Sequence, residues 1–163
     1  MLNTSGATAP LVWSDPFSIE LGWLDANGHL NMAYYHVMFD RTVDLALEMI
    51  GLGDSYRDKH NASVFNVETH VVYRREVQAH DKVSVSFQLL SRDQKRLHVF
   101  QTMVLEDGEL AATSESLFVH VDLNERRSAA IPADAGAAAD AMIEAHKAAG
   151  EPPMAGRRIS PLS

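Results

Sequence analysis

There is no cysteine anywhere in the 163 residues. Disulfides, cysteine metal sites and a thiol nucleophile are therefore excluded, and the absence fits a reducing compartment. Long apolar runs are missing too, since nothing approaches the ~18 residues of a membrane-spanning helix. The opening residues, MLNTSGATAPLVWSD, lack the basic and apolar segments of a secretory signal. Positive charge is in short supply: 14 Lys and Arg stand against 22 Asp and Glu, a net charge of -8. That balance disfavours nucleic acid and anionic membrane as partners, and the expectation is a cytoplasmic protein. No G-x-S-x-G elbow, P-loop or dinucleotide fingerprint is present, and the eight histidines show no H-E-x-x-H spacing. Neither a metal nor a cofactor is expected.

What is present is an ordinary globular composition, 46% hydrophobic and 22% charged, enough for one well-buried core. Residues 1–10 read as a loose tail, 11–150 as a single domain and 151–163 as a Pro/Gly-broken tail. A short extended segment, LVWSDPFSIELGW, carries Pro16, which predicts an edge position or a break. From Met32 to Ile50 the period becomes helical. Tyr35, Met38, Phe39, Thr42, Ala46, Met49 and Ile50 share one face, with Asp40, Arg41, Asp44 and Glu48 on the other. Gly51 and Gly53 supply the stop.

Strands follow. SVFNVETHVVYRREV alternates, with Phe65, Val67, Thr69, Val71 and Tyr73 on one face and Asn66, Glu68, His70 and Arg74 on the other. KVSVSFQLL places Val83, Val85, Phe87 and Leu89 inward, and Asp107-Gly108 joins the last two strands in a hairpin. The alanine-rich stretch after Pro132 reads as a helix. The predicted fold class is α+β: a five-stranded antiparallel sheet wrapped around one long helix.

The stretch WLDANGHLNMAYY stands immediately before that helix. Gly28 eases the turn into it, and Asn31 is placed as its N-cap. A helix start of this kind presents free N–H groups and the positive end of the helix dipole, which can stabilise an oxyanion. Asp25, just upstream, can reach the same space as a base or nucleophile. The plainer alternative is that these residues only shape and cap the turn.

Asp25-x-x-Gly28-His29-x-Asn31-x-x-x-Tyr35 resembles the signature of hotdog-fold acyl-CoA thioesterases of the 4-hydroxybenzoyl-CoA thioesterase type. Trp23 stands where many relatives carry a second acid, and Met32 where an asparagine is often doubled. WLDANGHLNMAYY, SVFNVETHVVYRREV, KRLHVFQTM, HVDLNERRSA and AGRRI are further similar to the betainyl-CoA thioesterases of carnitine degradation. The resemblance implies hydrolysis of an acyl-CoA, betainyl-CoA in the narrower case, with broad acyl-CoA hydrolysis or a non-catalytic acyl-CoA sensor as alternatives. It implies Asp25 as the catalytic residue, with His29 and Asn31 orienting water or the acyl oxygen. Backbone N–H groups near Gly28 and Met32 would face the oxyanion. It implies a homodimer or dimer of dimers, with the strand Ser63–Arg74 pairing with its twin and Asn66 and Glu68 completing the partner's site. A quaternary ammonium needs aromatic faces and a carboxylate, so Trp23, Tyr34, Tyr35, Phe65 and Glu68 are the substrate-binding candidates. The alternatives are that the aromatics are core and the polar strand face merely solvated. Arg74-Arg75, Arg92 with Lys95-Arg96, Arg126-Arg127 and Arg157-Arg158 are the clusters open to the CoA phosphates.

Overall fold

The computed structural model describes residues 11–159, so the expected N-terminal tail lies outside the described residues. Proline has no N–H for a ladder, and Pro16 splits the first extended segment into β1 (Val12–Trp13) and β2 (Phe17–Ser18). A 3-10 turn, Leu21–Trp23, leads through the Asp25 loop to helix α1 (Met32–Met49). A second, short helix α2 (Asp54–His60) follows. Four long strands come next: β3 (Ala62–Tyr73), β4 (Lys82–Arg92), β5 (Arg96–Leu105) and β6 (Leu110–Asp122). The chain then makes β7 (Arg127–Ser128) and helix α3 (Ala133–His146). The sheet runs β1-β4-β5-β6-β3, all antiparallel, with β2 added to β4 and β7 to β6. The five-stranded sheet around a long helix is there, lengthened by two short strands.

Helix α1 forms because apolar residues recur at three- and four-residue steps, and it buries Tyr35, Met38, Phe39, Thr42, Val43, Ala46 and Leu47 against the sheet. Val83, Val85, Phe87 and Leu89 of β4 meet it, all nearly free of solvent. Met49 does not join them; it is 64% exposed, because the chain turns at Gly51 (φ 78°) before that side of the helix finds cover. Helix α2 was not expected. Its seven residues, DSYRDKH, are polar and carry no period, and it is fixed locally: the Asp54 N–H donates to Glu48 Oε1 at 2.7 Å.

Strand β3 departs from strict alternation. The register against β6 shifts between Asn66 and Glu68, leaving Val67 as the extra residue of a β-bulge. Before the bulge Ala62 is buried and Val64 packs on the core; after it Val71 does so. Phe65 and Val67, expected on one face with Val71, are 44% and 56% exposed. Asn66 turns to the helix side, where it hydrogen-bonds Thr69, while Glu68 faces away from α1, beside His70 and Arg96. The two do not share a face.

The two sheet edges differ. On the β4 side, β1 and β2 take part of the edge, and the Leu89 N–H donates to His146 Nδ1 of α3 at 2.9 Å. The chain beyond α3 then crosses to the outer face, where the Gln88 amide donates to the Gly150 carbonyl at 2.8 Å and the Gly156 N–H to Glu115 Oε2 at 2.7 Å. The stretch expected as a tail is thus fastened down as far as Gly156. Among the described residues, no strand pairs with the outer edge of β3.

Candidate active site

The DANGH stretch is a closed turn. Leu24 and Leu30 pair as an antiparallel bridge, the Asp25 N–H donates to the His29 carbonyl at 2.8 Å, and the Gly28 N–H donates to the Asp25 carbonyl at 3.0 Å. Gly28 sits at φ 78°, a left-handed conformation that side chains with a Cβ resist. The Asp25 carboxylate folds over its own turn: Oδ1 accepts from the Asn27 N–H at 2.8 Å and the His29 N–H at 3.3 Å. Hydrogen bonding from Asn27 foremost, with His29 helping, outweighs partial desolvation and holds Asp25 below its ordinary value of 3.8. It is ionised throughout the neutral range.

The turn is set against α1 by further backbone bonds. The Asn31 N–H donates to the Trp23 carbonyl at 2.9 Å, and the Leu30 N–H to Val77 at 2.8 Å. Asn31 is the N-cap, its Oδ1 accepting from the Ala33 N–H at 3.0 Å. That leaves the Met32 N–H, at the first helical position, without a hydrogen bond among the described residues. It lies at the positive end of an 18-residue helix. An ionised carboxylate and an unbonded helix-start N–H, held in one turn, can attack a carbonyl and receive its developing negative charge.

A cleft of about 290 Å³ opens beside this turn, with His29, Met32 and Tyr35 on one side and Tyr73, Arg74, Arg75 and Glu76 on the other. His29 Nε2 lies 3.2 Å from Glu76 Oε2. Tyr35 and Tyr73 meet edge to face, 5.0 Å between centroids. Arg75 is paired with Asp107 and Glu109, whereas Arg74 makes no ion pair among the described residues.

Residues 19–139 match the thioesterase-like superfamily. The chain belongs to that superfamily. It is 38% identical over 138 residues to the betainyl-CoA thioesterase of Pseudomonas aeruginosa, covering 84% of this chain and 87% of that one. It is also 40% identical over 112 residues to an L-carnitine dehydrogenase/betainyl-CoA thioesterase of Agrobacterium fabrum, covering 68% of this chain but 23% of that longer protein. Among solved structures, a Staphylococcus aureus protein in complex with CoA superposes with a TM-score of 0.88 at 25% identity, over 98% of this chain and 100% of that one. A Pseudomonas putida protein described as a putative thioesterase superposes at 0.81 with 29% identity, over 97% and 100%. The wrapped helix is the hotdog fold, and the protein is an acyl-CoA thioesterase.

Within this thioesterase the expected site residues fare differently. Asp25, His29, Asn31 and Met32 fall in one turn, of which His29 and Met32 line the cleft while Asp25 and Asn31 do not. Gly28 does not serve as an oxyanion donor, because its N–H closes the turn onto Asp25. The expected aromatic cage is not assembled within one subunit. Trp23 and Tyr34 stack on each other, 5.1 Å and 9° apart, and pack against the core. Tyr35 is in the cleft but only 4% exposed. Phe65 and Glu68 lie on β3 around the bulge, away from the residues lining the cleft. Two cleft residues were not anticipated, Tyr73 as a site residue and Glu76 at all. β3 ends at Tyr73, one residue before the expected Arg74, and residues 74–78 then run along the turn, pairing Gln78 with His29. Only the long-range packing of that segment reveals it.

Proposed function

We propose that this thioesterase hydrolyses betainyl-CoA to betaine and CoA, a step suited to carnitine catabolism, and that it does so as a homodimer. The observation that carries the substrate is the identity shared with a betainyl-CoA thioesterase over most of both chains. In this reading the thioester carbonyl lies against the Met32 N–H at the start of α1. Asp25 either draws a proton from water as it attacks the carbonyl carbon, or attacks directly to give a mixed anhydride that water then opens. Either route breaks the C–S bond and releases CoA thiolate, which takes up a proton. His29 and Asn31 orient the water or the acyl oxygen.

The open β3 edge supports the dimer. A 12-residue strand whose outer edge meets no strand among the described residues, with Phe65 and Val67 exposed, is a surface that proteins seldom leave bare. A twin strand would cover it and bring Asn66, on the helix side of β3, toward the partner's site, with Glu68 on the opposite face. No helix among the described residues is long and apolar enough to cross a membrane, and we place the enzyme in the cytoplasm. Thiol release from a panel of acyl-CoAs tests the substrate. Turnover concentrated on betainyl-CoA is expected; comparable turnover of many neutral acyl-CoAs would replace it with broad acyl-CoA hydrolysis. CoA-ester binding without turnover would favour a sensor.

A further inference from the structure

Betaine carries its positive charge very close to the carbon that reacts. One methylene separates the quaternary nitrogen from the carbonyl carbon, and with bonds near 1.5 Å the two lie about 2.5 Å apart. Whatever recognises the cation must therefore lie close to the Met32 N–H, in the cleft that His29 and Met32 line. Trp23 and Tyr34 each give one ring face to the other, and neither lines that cleft.

Two residues do meet the requirement, and we infer that Tyr73 and Glu76 form the subsite for the quaternary ammonium of the acyl group. The inference rests on the betainyl-CoA reading and goes beyond it by naming what selects the cation. Tyr73 is 45% exposed and is contacted by Tyr35 edge to face, so a ring face remains for a cation. Burial pushes both phenols above their ordinary value of 10.0, and both rings stay neutral. A quaternary ammonium has no hydrogen to donate and is held by a ring face and by net negative charge. Glu76 supplies that charge at the rim, where it contacts His29 at 3.2 Å. The guanidiniums of the cleft do not outweigh it. Arg75 is ion-paired with Asp107 and Glu109, which lie outside the cleft lining, so Arg74 is the one lining guanidinium left without an ion pair among the described residues, and Glu76 stands against it.

The test compares betainyl-CoA with tert-butylacetyl-CoA, its neutral isostere, and reads the ratio of their kcat/KM values. The native enzyme is expected to favour the cation. Glu76→Gln and Tyr73→Leu should each lower that ratio about tenfold or more, and Tyr73→Phe, which keeps the ring, should restore it. A ratio unchanged in Glu76→Gln and Tyr73→Leu would overturn the inference while leaving betainyl-CoA as substrate. That includes the case in which both substrates slow in parallel, as a disturbed His29 would cause. A native enzyme indifferent to the charge would overturn the substrate reading and the inference together.

Discussion

Asp25 and Asn31 each carry a structural duty alongside the chemistry proposed for them, and the two can be separated by substitution. Asn31 Oδ1 caps α1 through the Ala33 N–H, so its Nδ2 is the part left for substrate. Replacing it by alanine removes the cap and should lower stability by about 1 kcal/mol, whereas serine keeps an acceptor at that position and should stay close to native. Thermal unfolding of the two variants checks this; equal losses would contradict the capping role. Asn31→Ser lacks the amide, so its turnover is expected to fall about tenfold even though the helix is intact. This part of the site was legible in the sequence because it is local: the turn and its cap close within the few residues from Leu24 to Ala33. Tyr73 and Glu76 were not legible, since nothing in YRREV says that the chain leaves the sheet there and doubles back beside His29.

At the scale of elements, the β4–β5 turn shows how much one carboxylate can organise. Asp93 accepts from the Lys95 and Arg96 N–H groups at 2.8 and 2.7 Å, and its second oxygen accepts from Arg96 Nε at 2.7 Å. The Arg96 side chain foremost, with these N–H groups, pushes Asp93 down to about 2. A carboxylate depressed in the folded state stabilises the fold above its unfolded pKa, near 3.9, and that contribution is lost as pH falls through about 2. Asp93→Asn should therefore melt a few degrees lower than native at pH 7, with the gap closing as the pH approaches 2. Melting curves across that range check it, and a gap independent of pH would contradict it. The long elements were readable because helix and strand periods differ. The bulge was not, because Asn66-Val67-Glu68 satisfies alternation in either register until the pairing with β6 decides it. Helix α2 escaped because DSYRDKH has no apolar period to detect.

The whole molecule has one finished side and one unfinished side. β1, β2, α3 and the C-terminal stretch close the β4 edge, while β3 ends the sheet with Phe65 and Val67 in solvent. Lysine on an edge strand opposes pairing with another strand. Phe65→Lys combined with Val67→Lys should convert the proposed dimer to a monomer and, with the contribution proposed for the partner lost, lower kcat/KM about tenfold or more. Sedimentation velocity alongside thiol-release assays checks both effects. A native protein that sediments as a monomer with full activity would remove the partner from the account. Periodicity could identify β3 as a strand, but its place at the free edge is set by topology, which a single chain's residue pattern does not encode.

The central claim is that the Asp25 carboxylate breaks a thioester at the start of α1. The most direct measurement is CoA thiol release from betainyl-CoA by the native protein and by Asp25→Asn. The substitution keeps an oxygen for the Asn27 and His29 N–H groups, so the turn should survive and the melting temperature should stay near native. Turnover is predicted to fall about 10²–10⁴-fold, the loss expected when a positioned base is removed. An Asp25→Asn protein that folds and still releases CoA at the native rate would contradict the account.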